Sequence, residues 1–242
     1  FFAYIGFDAV STAAEEAKNP QRDLPIGIIA SLGICTVLYI ALSAVMTGIA
    51  PWQTLGTAEP MITALTFAEG PPRLLNASRF IISLGAVIAM FSVLLVFQLG
   101  QPRIFMSMSR DGLLPPFLAK VHPKFKTPYV GTILTGIFVG VFAAFANIAE
   151  VVDLTNIGTL FAFVLVSLGV IVLRYKEPER VRPFRVPFVP WTPMISIVAC
   201  LYLMFKLPKV TWERFGIWLL VGLVIYFLYG VRHSRLRIKD NA

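Results

Sequence analysis

Six long stretches of this chain carry no charge: residues 24–58, 80–102, 127–149, 154–173, 186–205 and 215–231. Each has room for the roughly 17–25 residues with which a helix crosses a bilayer. Charged residues make up only 14% of the 242, against 57% hydrophobic, whereas a soluble domain carries about a quarter charged residues. A chain so poor in charge cannot cover a water-facing surface, so its solvent is lipid. Backbone polar groups find no water in hydrocarbon, which makes helices the default, and the strand alternation of a membrane barrel is absent. With the apolar opening, the chain has seven apolar segments, the first cut short. The fold class expected is therefore all-α integral membrane.

Charge position gives the topology. The formal net charge is +8, a value that by itself also suits nucleic-acid binding. Threading the segments alternately puts 16 of the 21 Lys and Arg on one side and 5 on the other, the asymmetry of the positive-inside rule. The first segment then runs outside to inside and the C-terminus is cytoplasmic, in a multi-pass protein of the cell membrane. The basic excess reports topology and contact with membrane lipid, and nucleic acid is excluded as a partner. Cys35 and Cys200 lie in apolar runs and indicate neither a disulfide nor a metal framework; no metal or cofactor is expected. His122 and His233 sit in basic flanks with no chemistry assigned.

Breakers divide the rest. Asn19-Pro20 is a turn signal, and Pro25 suits the first turn of a helix over 25–49. The outer connection 50–74 carries Pro51, Pro60, Pro71 and Pro72, with "TAEPMITALTFAEG" predicted as a short surface helix. Further helices are predicted over 75–106, 128–147, 151–174, 191–205 and 212–229. The third exceeds a bilayer's need, which implies tilt or projection. Trp52, Trp191 and Trp212 fall near predicted interfaces, where amphipathic rings are favoured. Gly136 and Gly140 form a GxxxG pair, a close-packing signal.

The opening "FFAYIGFD" poses the functional question. A Gly among aromatic residues in a membrane helix is by default a packing feature. Asp8 is different: a carboxylate at membrane depth costs about 2.5–3.5 kcal/mol on insertion scales and is a functional candidate by default. Glu15 and Glu16 lie at the predicted cytoplasmic end, where they read as a solvated face or as gate charges beside Lys18 and Arg22. Ser92 is a lone hydroxyl in the apolar run after Ser83, close to mid-depth. Its bland reading is a hydroxyl bonded back to the preceding turn. Asn147, Asp153, Thr155 and Asn156 read as interfacial polarity or as the lining of an outer vestibule.

Three stretches, "FFAYIGFDAVSTAAEEAKNPQRDLPIGI", "GQPRIFMSMSRDGLLP" and "RVRPFRVPFVP", resemble the amino acid–polyamine–organocation superfamily, and within it the cationic amino acid transporter branch and its bacterial homologues. The resemblance covers essentially the whole chain and implies a twelve-helix, leucine-transporter-like fold. In it, residues 1–177 would be the second inverted repeat, a broken helix plus four, and 186–242 the two extra C-terminal helices. Residue 1 would then be a boundary inside the sixth helix, with five preceding helices as the missing partner. The first helix of each repeat is broken near mid-membrane in this architecture, and unwound backbone there binds polar ligand groups. Gly6 would supply the freedom at the break. By the same resemblance, the carbonyls of Phe2, Ala3 and Ile5 accept from the substrate ammonium and the Phe2 ring closes over it. Tyr4 and Asp8 fall to structural or gating roles, with Asp8 favoured as a cap or pairing group. Ser92 would leave room for a long substrate side chain.

The function this implies is secondary active transport of amino acids by alternating access, cationic or small neutral (L-arginine, L-lysine, L-alanine), with a proton as coupling ion or driven by exchange. A polyamine or neutral amino acid exchanger is the alternative within the class. From other classes, a seven-helix receptor or scaffold is opposed by the cut first segment and its mid-helix Gly and Asp. An intramembrane enzyme should show paired His or acids at membrane depth, where only Asp8 stands, and no catalytic constellation appears.

Overall fold

The computed structural model describes residues 2–57 and 59–234, except for the side chains of Phe2, Ala13, Glu15 and Glu16. Among these residues there are helices and no strands. The chain opens with a 3-10 helix, Phe2–Glu16, followed by α1 (Pro20–Ile49) and the short α2 (Pro60–Thr66) within the outer connection. Next come α3 (Pro72–Arg110), a 3-10 turn at Pro116–Ala119, and α4 (Tyr129–Phe145). The chain ends with α5 (Ile148–Lys176), α6 (Trp191–Phe205) and α7 (Lys209–Ile225), a π-helical turn at Tyr226–Gly230, and α8 (Val231–His233).

Among the described residues, four helices are long and apolar enough to cross a membrane: Pro20–Ile49, Pro72–Arg110, Ile148–Lys176 and Lys209–His233. Helices α4 and α6 are shorter, 17 and 15 residues, or about 25 and 22 Å at 1.5 Å per residue. The run 186–205 was expected to be long enough to span. Its helix starts only at Trp191 because Pro187 and Pro190 hold the preceding backbone out of helical form. Pro25 does not open α1 as predicted. Pro20 takes the first turn and Pro25 lies inside the helix.

The buried core lies between α5 and α6. Ile157, Leu160 and Val164 of α5 meet Cys200 and Met204 of α6, flanked by Phe161, Trp212 and Phe215. Polar ties reinforce it: Ser167 Oγ donates to Ser196 Oγ at 3.2 Å, and Trp212 Nε1 donates to the Met204 carbonyl at 3.1 Å. On the predicted outer side, the Arg214 guanidinium of α7 pairs with Glu150 of α5 at 2.9 Å. Below α5, the Arg182 guanidinium donates to the carbonyls of Leu173, which also accepts from the Glu177 amide, and of Glu177, tying the following loop to the helix end.

Helices α3 and α4 pack through a different contact from the one expected. A Cβ on Gly131 would lie 3.2 Å from the Pro102 side chain, and one on Gly136 would lie 3.2 Å from Gln98 Nε2. That same amide donates to the Thr132 carbonyl at 2.8 Å. Gly140, the other half of the GxxxG pair, faces open space. The close approach is therefore shared by Gly131 and Gly136.

Candidate functional site

The opening helix is the element around which the site is built, and it touches α1, α3 and α5. An α-helix interrupted at Gly6 was expected. Instead, all fifteen residues of Phe2–Glu16 wind as a 3-10 helix with no interruption at Gly6. Runs of this kind rarely exceed three or four residues. At about 2 Å per residue, the segment extends about 30 Å, close to the thickness of the hydrocarbon core. The departure from α geometry is thus spread along the segment.

Three residues per turn stack every third side chain. Tyr4, Phe7 and Val10 form one ridge. Tyr4 meets Tyr39 of α1 edge to face at 5.1 Å, and Phe7 meets Phe163 of α5 at 5.7 Å. Val10 Cγ1 lies 3.6 Å from where a Cβ of Gly27 would stand. Ala3, Gly6, Ala9 and Thr12 form a second ridge of small residues. Its lower end is covered, since Thr12 Oγ1 lies 3.2 Å from a Cβ position on Gly100 of α3. Its upper end is open: Ala3 and Gly6 are exposed, and a Cβ on Gly6 would meet nothing within 4 Å.

The open end adjoins a groove of about 560 Å³ lined by Ala3, Tyr4, Tyr39, Ile40, Leu42 and Ser43. The Tyr39 hydroxyl donates to the Ala3 carbonyl at 2.9 Å. With the 3-10 ladder bond to the same carbonyl, the expected acceptor already holds two donors and has no lone pair left. The 3-10 ladder likewise engages the carbonyls of Phe2 and Ile5, so each has one lone pair left for a ligand. The Phe2 ring lies outside the described residues, as do the carboxylates of Glu15 and Glu16. Ile5 turns its side chain inward and is 7% exposed. Asp8 is half-buried, and among the described residues it makes no ion pair.

Ser92 does not touch the groove's lining. Its hydroxyl donates to the Ile88 carbonyl at 3.0 Å, the back-bonding to the preceding turn described above. Thr12 and Gly100 set the register of two segments that run the same way. Moving from Gly100 to Ser92 climbs about 12 Å at 1.5 Å per residue, and moving from Thr12 to Gly6 climbs about 12 Å at 2 Å per residue. Ser92 and Gly6 thus stand about equally far along their own helices from the Thr12–Gly100 contact.

Tyr39 escaped the sequence reading. Its signal was available: a phenol inside an apolar helix needs a partner for its hydroxyl. The outer polar residues divide by role. Asn147 accepts from the Ala149 amide and caps α5, and Thr155 donates to the Val151 carbonyl. Thr211 donates to Asp153 at 3.5 Å. Asn156 keeps a buried Oδ1 with no partner among the described residues. No group of three or more His, Cys, Asp or Glu able to hold a metal occurs among the described residues.

This arrangement has the makings of a binding surface. Comparison with known proteins agrees. The chain is 51% identical to a methylthioribose transporter of Bacillus subtilis, over 98% of this chain and 50% of the relative. It is 50% identical, over the same shares, to the branched-chain amino acid permease BcaP of that organism. It is 42% identical to cationic amino acid transporter 4, vacuolar, of Arabidopsis thaliana, over 75% of this chain and 29% of the relative. The chain spans about half the length of the Bacillus relatives. A sequence model of the family described as amino acid permease matches residues 1–229, and the chain therefore belongs to the amino acid permease family, a family of membrane transporters and not of enzymes.

Proposed function

We propose that the complete transporter carries amino acids across the cell membrane by alternating access, and that the exposed upper ridge of the opening helix supplies one wall of its substrate site. The observation that carries this reading is the family match over residues 1–229. The geometry supports it: Ala3 and Gly6 leave backbone uncovered on a membrane-crossing segment, beside a groove with two phenols. The carbonyls of Phe2 and Ile5 would take the substrate ammonium on their remaining lone pairs, and that of Ala3 would join them once the ammonium displaces the Tyr39 hydroxyl. Ser92 would face the substrate side chain. Residues 1–177 act as one repeat and 186–242 as two added helices, with the C-terminus cytoplasmic. Five preceding helices supply the opposite wall, and a proton is the coupling ion. Substrates are arginine, lysine and alanine.

A second reading follows the two Bacillus relatives, at higher identity than the plant one: branched-chain amino acids or methylthioribose. Uptake by the complete protein in proteoliposomes, with and without an imposed proton gradient, separates the two. Saturable arginine and alanine uptake raised by an inward proton gradient is expected. Uptake of valine or methylthioribose without arginine would replace the first reading with the second. Uptake of none of these would remove both.

A further inference from the structure

From Gly112 to Ala149 the sequence holds no acidic residue, yet Lys120, Lys124 and Lys126 stand within one short loop. The loop is fixed from within by His122. Its N–H donates to the Thr127 carbonyl and its carbonyl accepts from the Lys126 amide, both at 2.8 Å. Its Nδ1 accepts from the amides of Lys124 and Phe125, each at 3.2 Å, and its ring lies 4.9 Å from Phe125 and 5.6 Å from Tyr129. Lys126 sits in the left-handed region at φ 52, a conformation that a non-glycine residue holds only where the surroundings require it. The loop thus has a defined shape, and it presents apolar groups outward. Phe125 is 67% exposed, with Phe117 and Val121 exposed beside it. Lys124 Nζ stands 5.7 Å from the Phe125 ring centre.

Immediately after the loop, α4 starts at Tyr129 with no side-chain cap; the Tyr129 amide is taken by the Thr127 carbonyl at 2.9 Å, and the positive end of the helix dipole adjoins the loop. An exposed aromatic ring, three lysines without an acid nearby and an uncapped helix start, at the mouth of an apolar helix, match the boundary between headgroups and acyl chains. The ring enters the apolar side, and the ammonium groups meet phosphate beside the positive end of the helix dipole. Three cations with no counter-charge select an anionic headgroup over a zwitterionic one. We propose that residues 120–127, with the start of α4, form a headgroup site for an anionic phospholipid.

The test uses the complete transporter in detergent, titrated with phosphatidylglycerol or phosphatidylcholine, with bound lipids counted by native mass spectrometry. One tightly held phosphatidylglycerol is expected. Lys120→Gln, Lys124→Gln and Lys126→Gln should each weaken it about fivefold, and the triple variant about a hundredfold, with phosphatidylcholine unchanged. The triple Lys→Arg variant should retain it. Phosphatidylglycerol binding untouched in the Gln variants, or an equal loss of phosphatidylcholine, overturns the proposal. Displacement of the lipid by inorganic phosphate at matched ionic strength overturns the assignment to lipid. The lysines are exposed and enter no ion pair among the described residues, so folding should survive; if the triple variant does not fold, the single variants carry the same readout.

Discussion

Gly6 shows how a residue can be important without being crowded. A Cβ there meets nothing within 4 Å, so alanine or valine has room in the chain as it stands. Any cost should therefore appear when a ligand approaches the backbone, with β-branched stiffness adding to it. Gly6→Val in the complete transporter is expected to lose most substrate affinity while keeping normal surface expression. Unchanged affinity, measured by substrate binding, would make Gly6 a bystander. Ser92 gives the complementary case. Its hydroxyl is spent on Ile88, so what it offers a substrate is small size. Ser92→Met should overfill the far end of the pocket, costing about 1–3 kcal/mol, roughly 5- to 150-fold in arginine binding. Alanine, which does not reach that depth, should bind as before. Equal losses for both substrates would place Ser92 in helix packing.

At the scale of elements, the end of α3 governs how the last helix docks. Gly112 has φ +82. The Leu113 amide bonds to the Met108 carbonyl at 2.9 Å and the Gly112 amide to the Ser109 carbonyl at 3.1 Å, a Schellman closure. A Cβ on Gly112 would also overlap the His233 carbonyl oxygen. Gly112→Ala combines a left-handed penalty of about 1–2 kcal/mol with forced movement of the α8 end, at about 1–3 kcal/mol for overpacking. The melting temperature of the complete protein in detergent should fall by several degrees. Gly216→Ala, in open space on α7, should not lower it. Equal melting of the two variants would show that α8 does not dock as described. "SRDGLLP" could be read in sequence as a helix end, since Gly after a helix is the usual closure. That the glycine also admits the chain's far end could not, because 121 residues separate Gly112 from His233.

At the scale of the molecule, packing is uneven. Helices α5 and α6 share a buried core, whereas α1 has no buried residue along its thirty and the apolar window of α3 is equally uncovered. Lipid covers one side of a membrane helix, but both α1 and α3 stand next to the open ridge of the opening helix. This side is where the remainder of a transporter of the relatives' length would sit. Residues 1–242 reconstituted alone should therefore show no saturable amino acid uptake, although α5–α7 should stay packed. Substantial uptake of radiolabelled arginine or alanine by that fragment would show that the ridge needs no second wall.

The membrane class and the helix order were legible in the sequence, because lipid imposes them locally: charge-free length marks a span, and proline limits it at some places, although Pro25 and Pro102 lie inside α1 and α3. Residues 191–205 match α6 at both ends, for Pro190 and Leu207-Pro208 bracket them. The family was legible too, since its motifs are continuous in the chain. The winding of the opening segment was not. Gly6 pointed to a local break, but 3-10 and α forms of an apolar segment differ little in sequence cost, and contacts with Tyr39, Gly27, Gly100 and Phe163 accompany the form adopted. Nor could the sequence alone place the Tyr39 hydroxyl on Ala3, set Thr12 against Gly100, or give His122 the closing of its loop. Each depends on where a second segment stands in space, and only tertiary packing decides that.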